Sequence, residues 1–207
     1  MRTFPLIPLL ATLLLPAAPA WAEKGMVEIT SDALIADRYQ DNGDGTTTDV
    51  KTKLIWMRCS VGQTWTSGTC SGEAKKFNWE DAKKQTASFA GHNDWRLPTI
   101  EELRTLVYCS NGKPDYFNMG KPGRDEYEAQ GNPSDFDLGC QGEIGKDHES
   151  PTIVQSIFPN TPADVFWSSA LYAGYSDDAW GMFFDDGNDD HGGHSHDGHV
   201  RLVRDSQ

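Results

Sequence analysis

The segment Asp94-Trp95-Arg96-Leu97-Pro98-Thr99 constrains this chain more than any other. Pro98 drives Leu97 toward an extended conformation, so a helix arriving here cannot run straight through. Upstream, residues 78–90 carry Trp79, Ala82, Ala87 and Phe89 at broadly helical spacing, with Glu80, Asp81, Lys83 and Lys84 on the other side. Asn78 is a fitting N-cap, followed by acids where the helix dipole favours them. Downstream, Thr99-Ile100-Glu101-Glu102 reads as a capping box. Ile100, Leu103, Leu106 and Val107 mark the buried stripe of a second helix over 100–108. The expectation is helix, extended corner, capped helix. Trp95 and Leu97 would wedge into the core, and Arg96 would pair with an acid or a carbonyl.

Around this corner the pattern is one of short strands. Residues 33–40, 46–50 and 54–57 form a small meander, turned at Asp41-Asn42-Gly43-Asp44-Gly45 and at Lys51-Thr52-Lys53. Asn-Gly and Asp-Gly readily supply positive φ. The first turn has some look of a calcium loop, but it lacks alternating oxygen ligands and a terminal glutamate, which favours a hairpin turn. After a rigid turn at Phe158-Pro159-Asn160-Thr161-Pro162, strands are expected at 165–169, 179–184 and 199–204, the last with Val200 and Leu202 on one face. Residues 111–150 lack periodicity. Their acids Asp125, Glu126, Glu128, Asp135, Asp137, Glu143 and Asp147 could meet calcium, but their spacing fits a solvated loop better.

The N-terminus reads as a secretory signal peptide over residues 1–22. Met1-Arg2 is a short positive region, 5–15 is apolar, and Ala20-Trp21-Ala22 is a small-x-small cleavage site. Pro5, Pro8, Pro16 and Pro19 oppose an uncleaved anchor, and no cysteine follows to carry a lipid. The expectation is an exported protein, periplasmic or secreted, without a stable membrane anchor: a lead-in over 23–32, then one domain over 33–207. In an oxidising compartment the four cysteines read as two disulfides. Three pairings are possible. The sequential one, Cys59 with Cys70 and Cys109 with Cys140, staples one irregular segment with each bond. A catalytic or metal-binding thiol is the alternative, and no Cys-x-x-Cys supports it.

The formal net charge is −13, and loss of residues 1–22 would remove one basic residue, Arg2. Such a surface repels nucleic acid and other polyanions at long range, and excludes nucleic-acid binding as an expectation. Divalent cations, neutral ligands and basic partners remain compatible.

These segments together carry a resemblance. The Asp41–Thr46 turn, Leu54-Ile55-Trp56-Met57-Arg58-Cys59, the 91–99 corner and Phe158-Pro159-Asn160-Thr161-Pro162 resemble the Lcl C-terminal domain family, named for a bacterial collagen-like adhesin. So do Trp167-Ser168-Ser169, Ala179-Trp180 and Val200-Arg201-Leu202-Val203-Arg204, all in order across about 39–204. The resemblance implies an α+β class and a C-type-lectin-like fold. In that fold two helices pack on a mixed, mostly antiparallel sheet, with disulfide-stapled loops and paired chain ends. The corner at Arg96-Leu97-Pro98-Thr99 is also similar to that of formylglycine-generating enzymes, a distant branch of the same fold. The namesake's adhesion to sulfated polysaccharides fits poorly with this charge. The enzyme branch keeps catalytic cysteines late in its domain, and here none follows Cys140. The calcium-binding triplets of animal lectins, Glu-Pro-Asn, Gln-Pro-Asp and Trp-Asn-Asp, do not occur. No catalytic constellation stands out.

Two functional readings remain. Residues 171–199 are rich in Tyr, Asp, Gly, His, Asn and Ser, side chains suited to a recognition surface. That makes Tyr172, Tyr175, Asp177, Asp178, Asp186 and Asn188 candidate contacts to a carbohydrate or protein ligand in a non-enzymatic recognition or adhesion module. Trp167 and Trp180 could also stack on sugars, although aromatics on strands are more often core. The alternative is a transition-metal-binding protein. His191, His194, His196 and His199 place four of six histidines within nine residues, a composition suited to zinc, copper or nickel, with calcium less so. The oligomeric state is left open.

Overall fold

The first hairpin forms because its turn satisfies itself. In the computed structural model, which describes residues 38–112, 114–115 and 139–206, strand β1 (Tyr39–Asp41) pairs antiparallel with β2 (Thr46–Asp49). The Asp41 carboxylate accepts the Gly43 amide at 2.8 Å, and Asp44 accepts the Thr46 amide at 2.9 Å. Gly45 has φ of 89°, and a Cβ there would meet the Trp65 ring at 2.7 Å. The aspartates are thus engaged as turn acceptors, as a hairpin requires. The expected signal peptide and lead-in lie outside the described residues. So do 33–37 and the acids Asp125, Glu126, Glu128, Asp135 and Asp137.

Strand β3 (Leu54–Met57) continues the meander, and β4 (Thr64–Thr66) and β5 (Thr69–Ser71) make a separate hairpin. Then come β6 (Lys76–Phe77), helix α1 (Trp79–Ala82), helix α2 (Ile100–Arg104), and the short pair β7 (Pro114–Asp115) and β8 (Gly139–Cys140). The final strands are β9 (Val165–Leu171), β10 (Asp178–Phe183), β11 (Asp189–Gly193), β12 (Gly198–His199) and β13 (Val203–Asp205). They build two main sheets. One has the order β1-β2-β3-β13, and the other β11-β10-β9-β12-β6. The second sheet is mixed, since β12 pairs parallel with β9 and its other pairings are antiparallel. Mostly sheet with two short helices, the chain is of the α+β class.

Three expectations need correction. The first helix stops at Ala82, eight residues early. Beyond it the half-buried Gln85, Ala87 and Phe89 alternate with exposed Thr86 and Ser88, which is an extended pattern, and a turn at Ala90 and Gly91 follows. A single anchored turn is all that tertiary contacts hold here. Asn78 caps it as expected, accepting the Asp81 amide. The second helix ends at Arg104 because the next residues are drawn into extended pairing: Val107 bridges Ile153, and the Tyr108 amide donates to the Thr152 carbonyl at 2.9 Å. The last strand is divided. Gly198 and His199 belong to the five-stranded sheet, and Val203 to Asp205 pair with β3 in the other. Among the described residues, the first strand β1 and the last strand β13 lie at the two edges of the four-stranded sheet, with β2 and β3 between them.

The corner behaves as its sequence implies. Thr99 and Glu102 form a reciprocal capping box. Arg96 bridges Val203 through the backbone, and its guanidinium grips Glu102 with two bonds of 2.7 Å. Trp95 and Leu97 are buried with Trp79, Ala82, Trp167, Ala179, Val200 and Leu202. A second cluster gathers Trp56, Ile100, Leu103, Phe158, Phe166, Trp180 and Met182. Alternation along β10 explains the division: Trp180 and Met182 face one cluster, and Ala179 faces the other.

Both disulfides are present, in the sequential pairing Cys59–Cys70 and Cys109–Cys140. Arg201 lies fully buried between the sheets. It donates to the carbonyls of Met57 and Arg58 and to the Thr161 hydroxyl, and rests over the Phe158 ring. Burial pushes its pKa down to about 9, which leaves it charged at neutral pH.

Candidate functional site

The candidate surface is built where two turns meet at one end of the five-stranded sheet. Residues 172–177 connect β9 to β10, and 194–197 connect β11 to β12. Because β11 runs antiparallel to β10, with Gly193 opposite Asp178, the turns lie side by side. The His194 amide donates to the Asp177 carbonyl at 2.8 Å and ties them together.

Tyr172 opens the first turn, its amide donating to the Asp178 carbonyl at 2.9 Å. Its ring stacks on the His191 imidazole with centroids 3.8 Å apart and planes 3° from parallel, and its face meets the Trp180 ring at 84°. Gly174 permits this placement, since a Cβ there would come within 2.5 Å of the Tyr172 ring. Tyr175 leans on the same group, 5.9 Å from Tyr172 between centroids, yet remains 64% exposed. Leu171 is 56% exposed at the end of β9. Asp178 completes the group through a 2.7 Å contact from its carboxylate to His191 Nδ1. The result is an aromatic shelf with one ring open to solvent and carboxylates beside it.

The candidate ligand contacts are therefore divided. Tyr172, Tyr175, Asp177 and Asp178 come together at this end. Asp186 and Asn188 lie in the 184–188 turn, at the opposite end of β10, beside the Cys109–Cys140 disulfide. There the Asp186 carbonyl accepts the Cys140 amide at 2.8 Å, and its carboxylate accepts the Asn188 amide at 2.8 Å. Burial raises the Asp186 carboxyl above its ordinary pKa.

The four clustered histidines go to four environments. His191 is held by Asp178 and Tyr172. His194 stacks on Trp79, centroids 4.2 Å apart. His196 is exposed on the second turn. His199 is buried, with Nδ1 3.0 Å from the Lys75 carbonyl and Nε2 3.7 Å from Asp164. Burial lowers the His199 pKa against the opposing pull of that carbonyl and of Asp164. Among the described residues, no group of three or more His, Cys, Asp or Glu side chains stands close enough to hold a metal ion. Nor is any helix among them long and apolar enough to cross a membrane.

Sequence reasoning missed two things here. It did not foresee that Tyr172 lies on His191, and no spacing rule could have paired His194 with Trp79. It also passed over Gly181, inside β10. Glycine inside a strand is a readable sign of close approach to a face.

A disulfide-bonded α+β domain with an aromatic shelf at one sheet end is the class that fold and site define. The Lcl C-terminal domain family matches residues 45–204, and the chain belongs to that family. This match does not point to an enzyme. Among curated proteins, none matches the chain.

Proposed function

We propose that this protein is an exported, non-enzymatic recognition module with a C-type-lectin-like fold, and that the shelf of Tyr172 and Tyr175 binds a neutral glycan. The observation that carries the reading is Tyr175. A ring left 64% exposed, yet braced by Tyr172 and His191, is preorganised for stacking at little entropic cost. Asp177 and Asp178 stand beside it as acceptors for sugar hydroxyls. The net charge of −13 disfavours sulfated or otherwise anionic chains, which selects neutral ones. A protein ligand would use the same shelf, with Leu171 as an added apolar contact.

The test is a glycan array and a peptide array probed with folded protein, followed by titration of the best hits against Tyr175→Ala. Binding of neutral glycans that Tyr175→Ala abolishes supports the reading. Retention of peptides alone transfers the shelf to a protein ligand. Blank arrays reject it.

A further inference from the structure

On the face of the five-stranded sheet opposite the Tyr172 shelf lies a cavity of about 190 Å³. Its floor is Gly181 at the centre of β10. Across the pairing, Gly181 stands opposite Trp167 on β9 and Asp190 on β11. Phe183 closes one side, and Gly192 with the exposed His196 closes the other. Two strand positions without side chains shape it: Val165 leans over Gly181, and Gly192 leaves the ground between His196 and Trp167 uncovered. A Cβ at Gly181 would meet Val165 Cγ2 at 2.7 Å, and one at Gly192 would point between His196 Nδ1 at 3.3 Å and the Trp167 ring at 3.5 Å.

We propose that this cavity is a binding site for a small neutral aromatic molecule of one or two rings, the size of phenol or indole. Three observations set the class. The volume suits a single ring system, since an apolar cavity of about 150 Å³ accepts benzene. The walls are aromatic and aliphatic, offering offset or edge contacts from Trp167 and Phe183. The polar side chains of the lining are Asp190, beside Gly181 and already accepting the His191 amide, and the exposed His196, which can meet a single hydroxyl or ring N–H, the pattern of small-molecule sites. The net charge of −13 works against an anionic ring.

The site is independent of the glycan reading, since it lies on the other face and shares no residue with the shelf. The experiment is a titration of ¹⁵N-labelled protein with indole, indole-3-acetate and cyclohexanol, followed through backbone amide shifts. Saturable movement of Gly181, Phe183 and Gly192 with indole, with indole-3-acetate weaker by at least about tenfold, is the expected result. Gly192→Val should abolish the indole response by filling the cavity. Its new side chain meets the movable His196, so its melting temperature should stay near that of the parent, and Gly192→Ala should give an intermediate loss. No saturable shift at the solubility limit of indole overturns the proposal. So does an undiminished response in Gly192→Val, or a preference for cyclohexanol or indole-3-acetate over indole.

Discussion

The ring of Tyr172 lies flat on the imidazole of His191, 3.8 Å between centroids. That contact makes a histidine of the His-rich tract the floor of the aromatic shelf. It also separates the roles of two neighbouring tyrosines. Tyr172 is half-buried and braced, whereas Tyr175 is the exposed partner.

Tyr175→Ala should therefore leave stability within about 0.5 kcal/mol of the parent, as surface substitutions do. Its affinity for a glycan ligand should fall by about 2 kcal/mol or more if it is the anchoring ring. Tyr172→Ala should lose both binding and stability, because it also removes packing against Trp180 and His191. Thermal melts beside titrations separate the two outcomes.

His199 makes stability depend on pH near neutrality. Its folded pKa lies below the ordinary 6.5, so the unfolded chain binds a proton more readily than the folded one. The stabilising difference is fully present above 6.5 and is lost as pH falls through and below it. Asp164, held below the ordinary carboxylate value by Lys76 against the opposing effect of burial, acts only in more acid solution. Melting temperature should decline as pH is lowered from about 7 to about 5, and His199→Asn should flatten that decline.

Arg201→Leu should cost about 3 kcal/mol or more. It strands the Met57 and Arg58 carbonyls and the Thr161 hydroxyl in the interior, each at about 1–3 kcal/mol. Denaturant unfolding of the variant checks this. A change under about 1 kcal/mol would mean that water or a neighbouring side chain takes the place of the guanidinium.

Removing each disulfide by paired Cys→Ala substitution should destabilise by about 3 kcal/mol at Cys59–Cys70 and about 4 kcal/mol at Cys109–Cys140, the longer loop costing more. Equal losses would show that loop length is not the controlling quantity.

Zinc added to the purified protein should not remain at one equivalent after dialysis. His191 and His199 are committed through Nδ1, and His194 lies against Trp79, so no three of the four imidazoles converge. A stoichiometric ion, lost on replacing the four histidines, would support the metal reading instead.

What the sequence made legible was local. The capping box at Thr99 and Glu102, the Asp41 to Gly45 turn and the extended residue before Pro98 depend on neighbours a few positions away, and each appears in the fold. The sequential disulfides followed from economy of stapling. What stayed hidden depends on partners distant in the chain. Ala87 and Phe89 kept a helical phase in the sequence, but packing against the cluster of Trp79, Trp95 and Leu97, and the Phe89–His92 bridge, holds them in an extended path. The four histidines looked like one cluster because they are adjacent in order. A strand, a turn and a second strand send them to different faces. Arg201 reads as the polar position of the closing strand, between Val200 and Leu202, until Met57, Arg58 and Thr161 close around it.

The division of the closing segment between two sheets has a kinetic meaning. Within a few residues the chain leaves β12, paired with β6 and β9, to become β13, paired with β3. Neither sheet is complete until this stretch has been synthesised, and both are finished by the same short thread. Pairings of such long sequence separation slow folding, because loop closure precedes its reward. The domain therefore holds both sheets open until residues 198–205 are in place, and then closes them together.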